Sequence, residues 1–175
     1  LFNDPVSNYL TEILDTILIN EPALRSQIRV YALRSSLVNS FTTNDGIILV
    51  NLGLIAQLEN EAQLAFILCH ELVHFTEQHV VNAYVKNEEL KKGIGEYKRG
   101  SFDERMLERS GYSKELEKEA DRLGLKRFLN TRYSSENISN VFDVMRYSHL
   151  PFDDIEFEKD FFDQAFYRMD DSYFL

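Results

Sequence analysis

The sequence predicts an α+β fold, a mostly helical chain with a small antiparallel β-sheet just ahead of a buried helix. Three observations predict it. Apolar residues recur at three- and four-residue spacing over much of the chain. One segment, 27–51, switches to short apolar runs separated by turn residues. The helix that follows is apolar on nearly every face, so other elements must cover it.

Taken in order, Asp4-Pro5 reads as an N-cap with proline at the first helical position. Tyr9, Leu10, Ile13, Leu14, Ile17 and Leu18 then trace an amphipathic helix to about Asn20. Strands are expected at 28–33, 37–42 and 47–50, with Asp45-Gly46 turning the chain between the last two. Beyond Gly53 the pattern is helical. Asn60 and Gln63 form a capping pair for a helix expected to run to about Asn82. In 86–109, 13 of 24 residues are charged and Gly93, Gly95 and Gly100 punctuate them. That composition suits a solvated helix-and-loop excursion, with a lid over a site as the alternative. Further helices are expected from Ser113 to Asn130, Asn137 to Tyr147 and Asp160 to Met169. No repeat or linker interrupts the chain, so residues 1–175 read as one domain. The start at Leu1, without Met or a signal-type segment, fits a domain cut from a longer chain.

Composition narrows the function. The 175 residues carry 19 Lys+Arg against 29 Asp+Glu, a net charge of −10, which repels phosphate backbones and argues against nucleic acid as a partner. With 44% hydrophobic residues, 13 Phe and 9 Tyr, there is ample material for a core, which excludes intrinsic disorder. No apolar run approaches the roughly 18 residues of a membrane span. The one cysteine, Cys69, excludes an internal disulfide framework and a cysteine-rich zinc site, and suits a small core residue.

The chemistry is concentrated in His70-Glu71-Leu72-Val73-His74. Two histidines four apart on a helix project from one face about a turn apart, as one tetrahedral Zn²⁺ requires. The intervening Glu71 can reach a water on that metal and act as general base. Random placement of these residues gives the pattern about once in 100 such chains, and burying three polar groups without partners would cost several kcal/mol. A functional metal pair is therefore the better reading.

A catalytic zinc usually takes a third protein ligand. Glu77 and Val80 stand where a metzincin would need Gly and His, so that class is out. On a continuous helix, His79 lies roughly 140° from His74 and cannot join the site; it reads as a packing or surface histidine. A carboxylate from another helix is expected instead. On the Ser113 helix, Glu117 and Asp121 fall within the apolar arc of Leu116, Ala120, Leu123, Gly124 and Phe128, whereas Glu115 and Glu119 share the other side with Lys118, Arg122 and Lys126. Glu117 is thus assigned to the metal. Asp121 is assigned to a hydrogen bond with a ring N–H of one ligand histidine. Gly124 allows the two helices to approach closely.

These residues resemble the gluzincin zinc metallopeptidases of the HtpX, CAAX-prenyl endopeptidase and BepA type, whose signature is HExxH followed by Glu-x-x-Ala-Asp, here Glu117-Lys118-Glu119-Ala120-Asp121. His79, five residues after His74, is part of the likeness. Asn39-Ser40-Phe41, then Asp45-Gly46 and Gly53-Leu54, are similar to the Asn-Ala-Phe, Gly-Gly and Gly-Leu stretch that precedes HExxH in that family. The likeness covers roughly residues 28–130. It departs at Asp45 and Lys114, and His149-Leu150-Pro151 matches a later His-Pro segment of the family loosely. The resemblance implies a zincin-like fold with one Zn²⁺ per chain held by His70, His74 and Glu117, Glu71 as base and Asp121 in support. It implies a zinc endopeptidase, in a cell envelope or periplasm, and a strand edge of the 28–50 sheet suits extended or unfolded protein segments as substrate. A zinc-bound but latched or silent protein-binding domain is the alternative. His149 is a candidate oxyanion donor or latch, alongside Arg122, Tyr112 and Tyr147 for the oxyanion.

Overall fold

The computed structural model describes residues 4–92, 102–136 and 138–146. The elements run α1 (Pro5–Ile17), α2 (Pro22–Arg25), β1 (Arg29–Leu33), β2 (Ser40–Thr42), β3 (Ile47–Asn51), α3 (Leu52–Gln57), α4 (Glu61–Thr76), α5 (His79–Lys92), α6 (Phe102–Phe128) and α7 (Asn140–Arg146). The fold is α+β and mostly helical.

Asp4 caps α1, its Oδ1 accepting from the backbone N–H groups of Val6 and Ser7 at 3.1 and 3.0 Å. Leu10, Ile13, Leu14 and Ile17 give the helix one buried stripe. It stops at Ile17, three residues before the expected end, and Pro22 then opens a second short helix.

The sheet differs from the expected antiparallel one. Its order is β1-β3-β2, with β2 antiparallel to β3 but β1 parallel to β3. Residues 34–39 reverse the chain and set β2 down two strand positions away from β1. The turn at 43–46 then sends β3 back between them, where it runs in the direction of β1. Gly46 makes that turn possible: its φ is +76°, and a Cβ there would meet the carbonyl oxygen of Gln27 at 2.4 Å. The consequence for the site is that β2 is an edge strand.

Helix α4 is the axis of the core. Asn60 caps it by accepting from the N–H of Gln63 at 3.0 Å, and the Gln63 side chain accepts from the N–H of Glu59 at 2.8 Å. Every residue from Gln63 to Val73 is buried. The sheet, α1 and α6 cover it, with Phe66 packed edge-on against Phe128 of α6 and Phe142 of α7. The helix expected to reach Asn82 is in fact two helices. α4 ends at Thr76, and Gln78 adopts a left-handed φ of 55° before α5 begins at His79. No glycine or proline marks this break, so periodicity alone runs straight through it. The helix expected from Ser113 starts eleven residues earlier, at Phe102. The charged 86–109 segment is therefore helical at both of its described ends. The helix expected over 160–169, together with His149 and Tyr147, lies outside the described residues.

Candidate metal centre

The histidine pair sits on the one helix that the rest of the fold surrounds. His70 is 2% exposed, and its Nε2 lies 2.9 Å from Nε2 of His74, one helical turn on. From α6, Oε2 of Glu117 approaches these atoms at 3.3 and 3.6 Å. Among the described residues, His70, His74 and Glu117 form a group whose ligand atoms all lie within 4.8 Å of one another. Three donors bound tetrahedrally at zinc distances would be roughly 3.3 Å apart, so the observed edges of 2.9, 3.3 and 3.6 Å suit a zinc-sized ion.

Close approach of the two helices makes this convergence possible. Gly124 faces His70, and a Cβ in its place would come within 2.9 Å of the His70 Cα and 3.0 Å of its backbone nitrogen. One turn earlier on α6, Oδ1 of Asp121 lies 3.0 Å from Nδ1 of His70, on the side of the ring away from the donor triangle. An imidazole with Nε2 turned to a cation and Nδ1–H given to a carboxylate has its tautomer and its ring orientation fixed.

Electrostatics point the same way. Burial opposes a charge on His70, yet its hydrogen bonds to Asp121 and Glu117 and the nearby charge of Glu71 outweigh it and raise its pKa to about 9. Hydrogen bonds to His70 and His74 hold the Glu117 carboxyl well below the usual carboxylate range. The acidic groups thus favour a positive charge where the three donors meet, a preference that a dication satisfies.

Glu71 is 4% exposed, and β2 supplies its partners. Ser40 Oγ donates to Oε1 at 2.5 Å, and Thr42 Oγ1 donates to Oε2 at 2.7 Å. Sequence reasoning singled out neither hydroxyl. The available signal was their i, i+2 spacing on an expected strand, which puts both on one face. His70, Glu71, His74 and Glu117 open into a cavity of about 390 Å³ that is also lined by β2, by Val38 and Asn39 just before it, and by Val80 of α5.

His79 departs most from expectation. Because the chain breaks at Gln78, its Nδ1 lies 3.2 Å from Nδ1 of His74 rather than far round a continuous helix, and the residue is 2% exposed. Glu119 departs with it: placed by the helical projection on the solvated side, its Oε2 faces His79 Nε2 at 3.5 Å. Arg122, an oxyanion candidate, is largely exposed beside Glu119. Cys69 is fully buried, and burial pushes its thiol up to about 12, which suits a core residue and not a nucleophile.

The sequence model of peptidase family M48 matches residues 6–92 of the 175, from α1 to the end of α5. This chain belongs to peptidase family M48. The beta-barrel assembly-enhancing protease of Yersinia pestis is 25% identical over 91 residues, which is 51% of this chain and 19% of that protein. A putative beta-barrel assembly-enhancing protease of Vibrio cholerae is 24% identical over 84 residues, 47% of this chain and 17% of that protein. The chain thus spans less than a fifth of the length of these curated relatives. The M48 match supports a metallopeptidase reading of this part of the chain. It ends before α6, so the place of Glu117 and Asp121 in this M48 chain rests on the geometry above. No helix among the described residues is long and apolar enough to cross a membrane.

Proposed function

We propose that the protein is a zinc-dependent endopeptidase that cleaves extended segments of protein chains, with His70, His74 and Glu117 as the metal ligands and Glu71 as the general base. The observation that carries this reading is the convergence of the three ligand atoms within 4.8 Å, in a cavity that the Glu71 carboxylate also lines. A zinc ion held by these donors would supply a Lewis acid for the scissile carbonyl and lower the pKa of a bound water toward about 7.

The chain's own groups then divide the work. Glu71 takes a proton from the attacking water and passes it to the departing amine, so one carboxylate serves both halves of the reaction. Ser40 and Thr42 hold that carboxylate by both oxygens, so its orientation is set before substrate arrives. Asp121 keeps the His70 ring turned toward the metal. Edge strand β2 borders the cavity and offers main-chain groups to an extended substrate, a mode that selects unfolded or flexible segments over any one sequence.

The test is metal analysis together with cleavage of unfolded casein, with and without chelator. About one zinc per chain and chelator-sensitive cleavage that Glu71→Gln abolishes are expected. Bound zinc without cleavage would favour a silent binding domain, and absence of zinc would remove the site.

A further inference from the structure

Each histidine of the metal pair has a second ring nitrogen, and the two are partnered differently. Nδ1 of His70 meets the carboxylate of Asp121 at 3.0 Å. Among the described residues, Nδ1 of His74 meets no carboxylate; it faces Nδ1 of His79 at 3.2 Å, with the two rings nearly perpendicular at 83°. His79 is buried to the same degree as His70, and among the described residues its Nε2 makes no hydrogen bond, although Glu119 Oε2 stands 3.5 Å away.

Two facing ring nitrogens form a hydrogen bond when one carries the hydrogen and the other a lone pair. If Nε2 of His74 gives its lone pair to a cation, the hydrogen of that ring sits on Nδ1 and points at His79. His79 Nδ1 must then be the acceptor, which places the His79 hydrogen on Nε2, the atom that faces Glu119. We propose that His79 is the positioning residue for His74, anchored by Glu119, and does for the second histidine what Asp121 does for the first. The inference rests on reading His70, His74 and Glu117 as metal ligands. It also gives the break at Gln78 a purpose: the left-handed residue turns the chain so that α5 delivers a ring to the outer side of His74.

The chain tests it without recourse to activity. Zinc affinity is measured by competition with a chromophoric chelator for wild type, His79→Leu, His79→Asn, Glu119→Ala and, as a control for lost charge, the exposed Glu115→Ala. Outer partners of metal-bound histidines are worth about 10- to 100-fold in affinity, so His79→Leu should weaken zinc by that factor. His79→Asn, whose side-chain oxygen can accept from His74, should recover most of it. Glu119→Ala should weaken zinc more than Glu115→Ala does, and it keeps the test alive if His79→Leu does not fold. In the zinc-loaded wild type, imidazole ¹⁵N shifts should place the His79 hydrogen on Nε2 and the His74 hydrogen on Nδ1. Wild-type affinity in both His79→Leu and Glu119→Ala, or a His79 hydrogen on Nδ1, overturns the proposal. A wild type that binds no zinc overturns the metal-site reading itself.

Discussion

The hydroxyl of Ser40 donates a 2.5 Å hydrogen bond to Oε1 of Glu71, joining the edge strand of the sheet to the acid of the histidine helix. Thr42 does the same for Oε2 at 2.7 Å, so the carboxylate is gripped at both oxygens from one strand. Ser40 stands where the resemblance expects alanine, which makes the double grip a property of this chain's own sequence.

Thr42→Val keeps the shape of the side chain but leaves a buried carboxylate oxygen without its donor. A hydrogen bond to a charged group contributes about 1.5–3 kcal/mol, and a mispositioned catalytic group costs up to roughly 100-fold in rate. The expected outcome is a fall in kcat of about tenfold or more with little change in KM or zinc content. Ser40→Ala, at a half-buried position, should show the same pattern more weakly. Steady-state kinetics on a fluorogenic peptide check both. A raised KM at constant kcat would mean that the hydroxyls serve substrate binding and not Glu71.

Much of this arrangement was legible in the sequence, and the losses have physical reasons. The Asp4 cap, the Asn60 cap, the Asp45-Gly46 turn and the all-round apolar helix are local signals, each set by residues within a few positions. The grouping of His70 and His74 with Glu117 followed from two helical periods, and the need for Gly124 from the close approach of two helices. What failed was non-local or unmarked. Strand order depends on how 34–39 returns the chain, which alternation does not encode. The break at Gln78 carries no glycine or proline, so a helix drawn through it carries His79 away from His74, and the approach of Glu119 to His79 goes unseen with it. Ser40 and Thr42 meet Glu71 across some thirty residues of sequence.

Zinc should stabilise the fold. A ligand that binds the native state alone at 1,000 times its Kd contributes roughly 4 kcal/mol, which in a chain of this size raises Tm by on the order of 10 °C. Differential scanning fluorimetry with and without a chelator reads this shift. Glu117→Gln should lose most of it, because the amide brings no negative charge to the donor triangle. An unchanged shift in Glu117→Gln would take Glu117 out of the ligand set.

Gly124→Ala should damage the site from a distance. The added Cβ would stand 2.9 Å from the His70 Cα, a backbone atom that cannot swing aside, so α6 must move. Overpacking of this kind costs about 1–3 kcal/mol, partly offset by the roughly 1 kcal/mol by which alanine outranks glycine in a helix. Because Glu117 and Asp121 ride on the same helix, zinc affinity should fall more than stability does. Chelator competition and thermal unfolding of the same variant compare the two. Normal zinc affinity in a stably folded Gly124→Ala would show that the helix spacing is not what sets the donor triangle.

Away from the site, pH should act through Glu61. Tyr9 of α1 donates to its Oε2 and Tyr133, beyond α6, to its Oε1, both at 2.7 Å, so one carboxylate ties three parts of the chain together. The hydrogen bonds from Tyr133 and Tyr9 lower the Glu61 pKa below its ordinary 4.5. A depressed acid contributes stability that is fully present above 4.5 and is lost as pH falls through the folded value. The tyrosines are raised from 10 to about 12, by burial first and then by their bonds to Glu61, so their contribution holds below pH 10 and fades toward 12. The cluster therefore supports the fold on a plateau between these limits. Since it is largely exposed, solvent screening keeps its worth at pH 7 to about 1 kcal/mol. Tyr9→Phe combined with Tyr133→Phe should lower stability by about that amount at pH 7 and flatten the loss between pH 5 and 3. Urea unfolding of both proteins at pH 7, 5 and 3.5 measures it, and curves that fall in parallel with acid would show that Glu61 draws nothing from its two phenols.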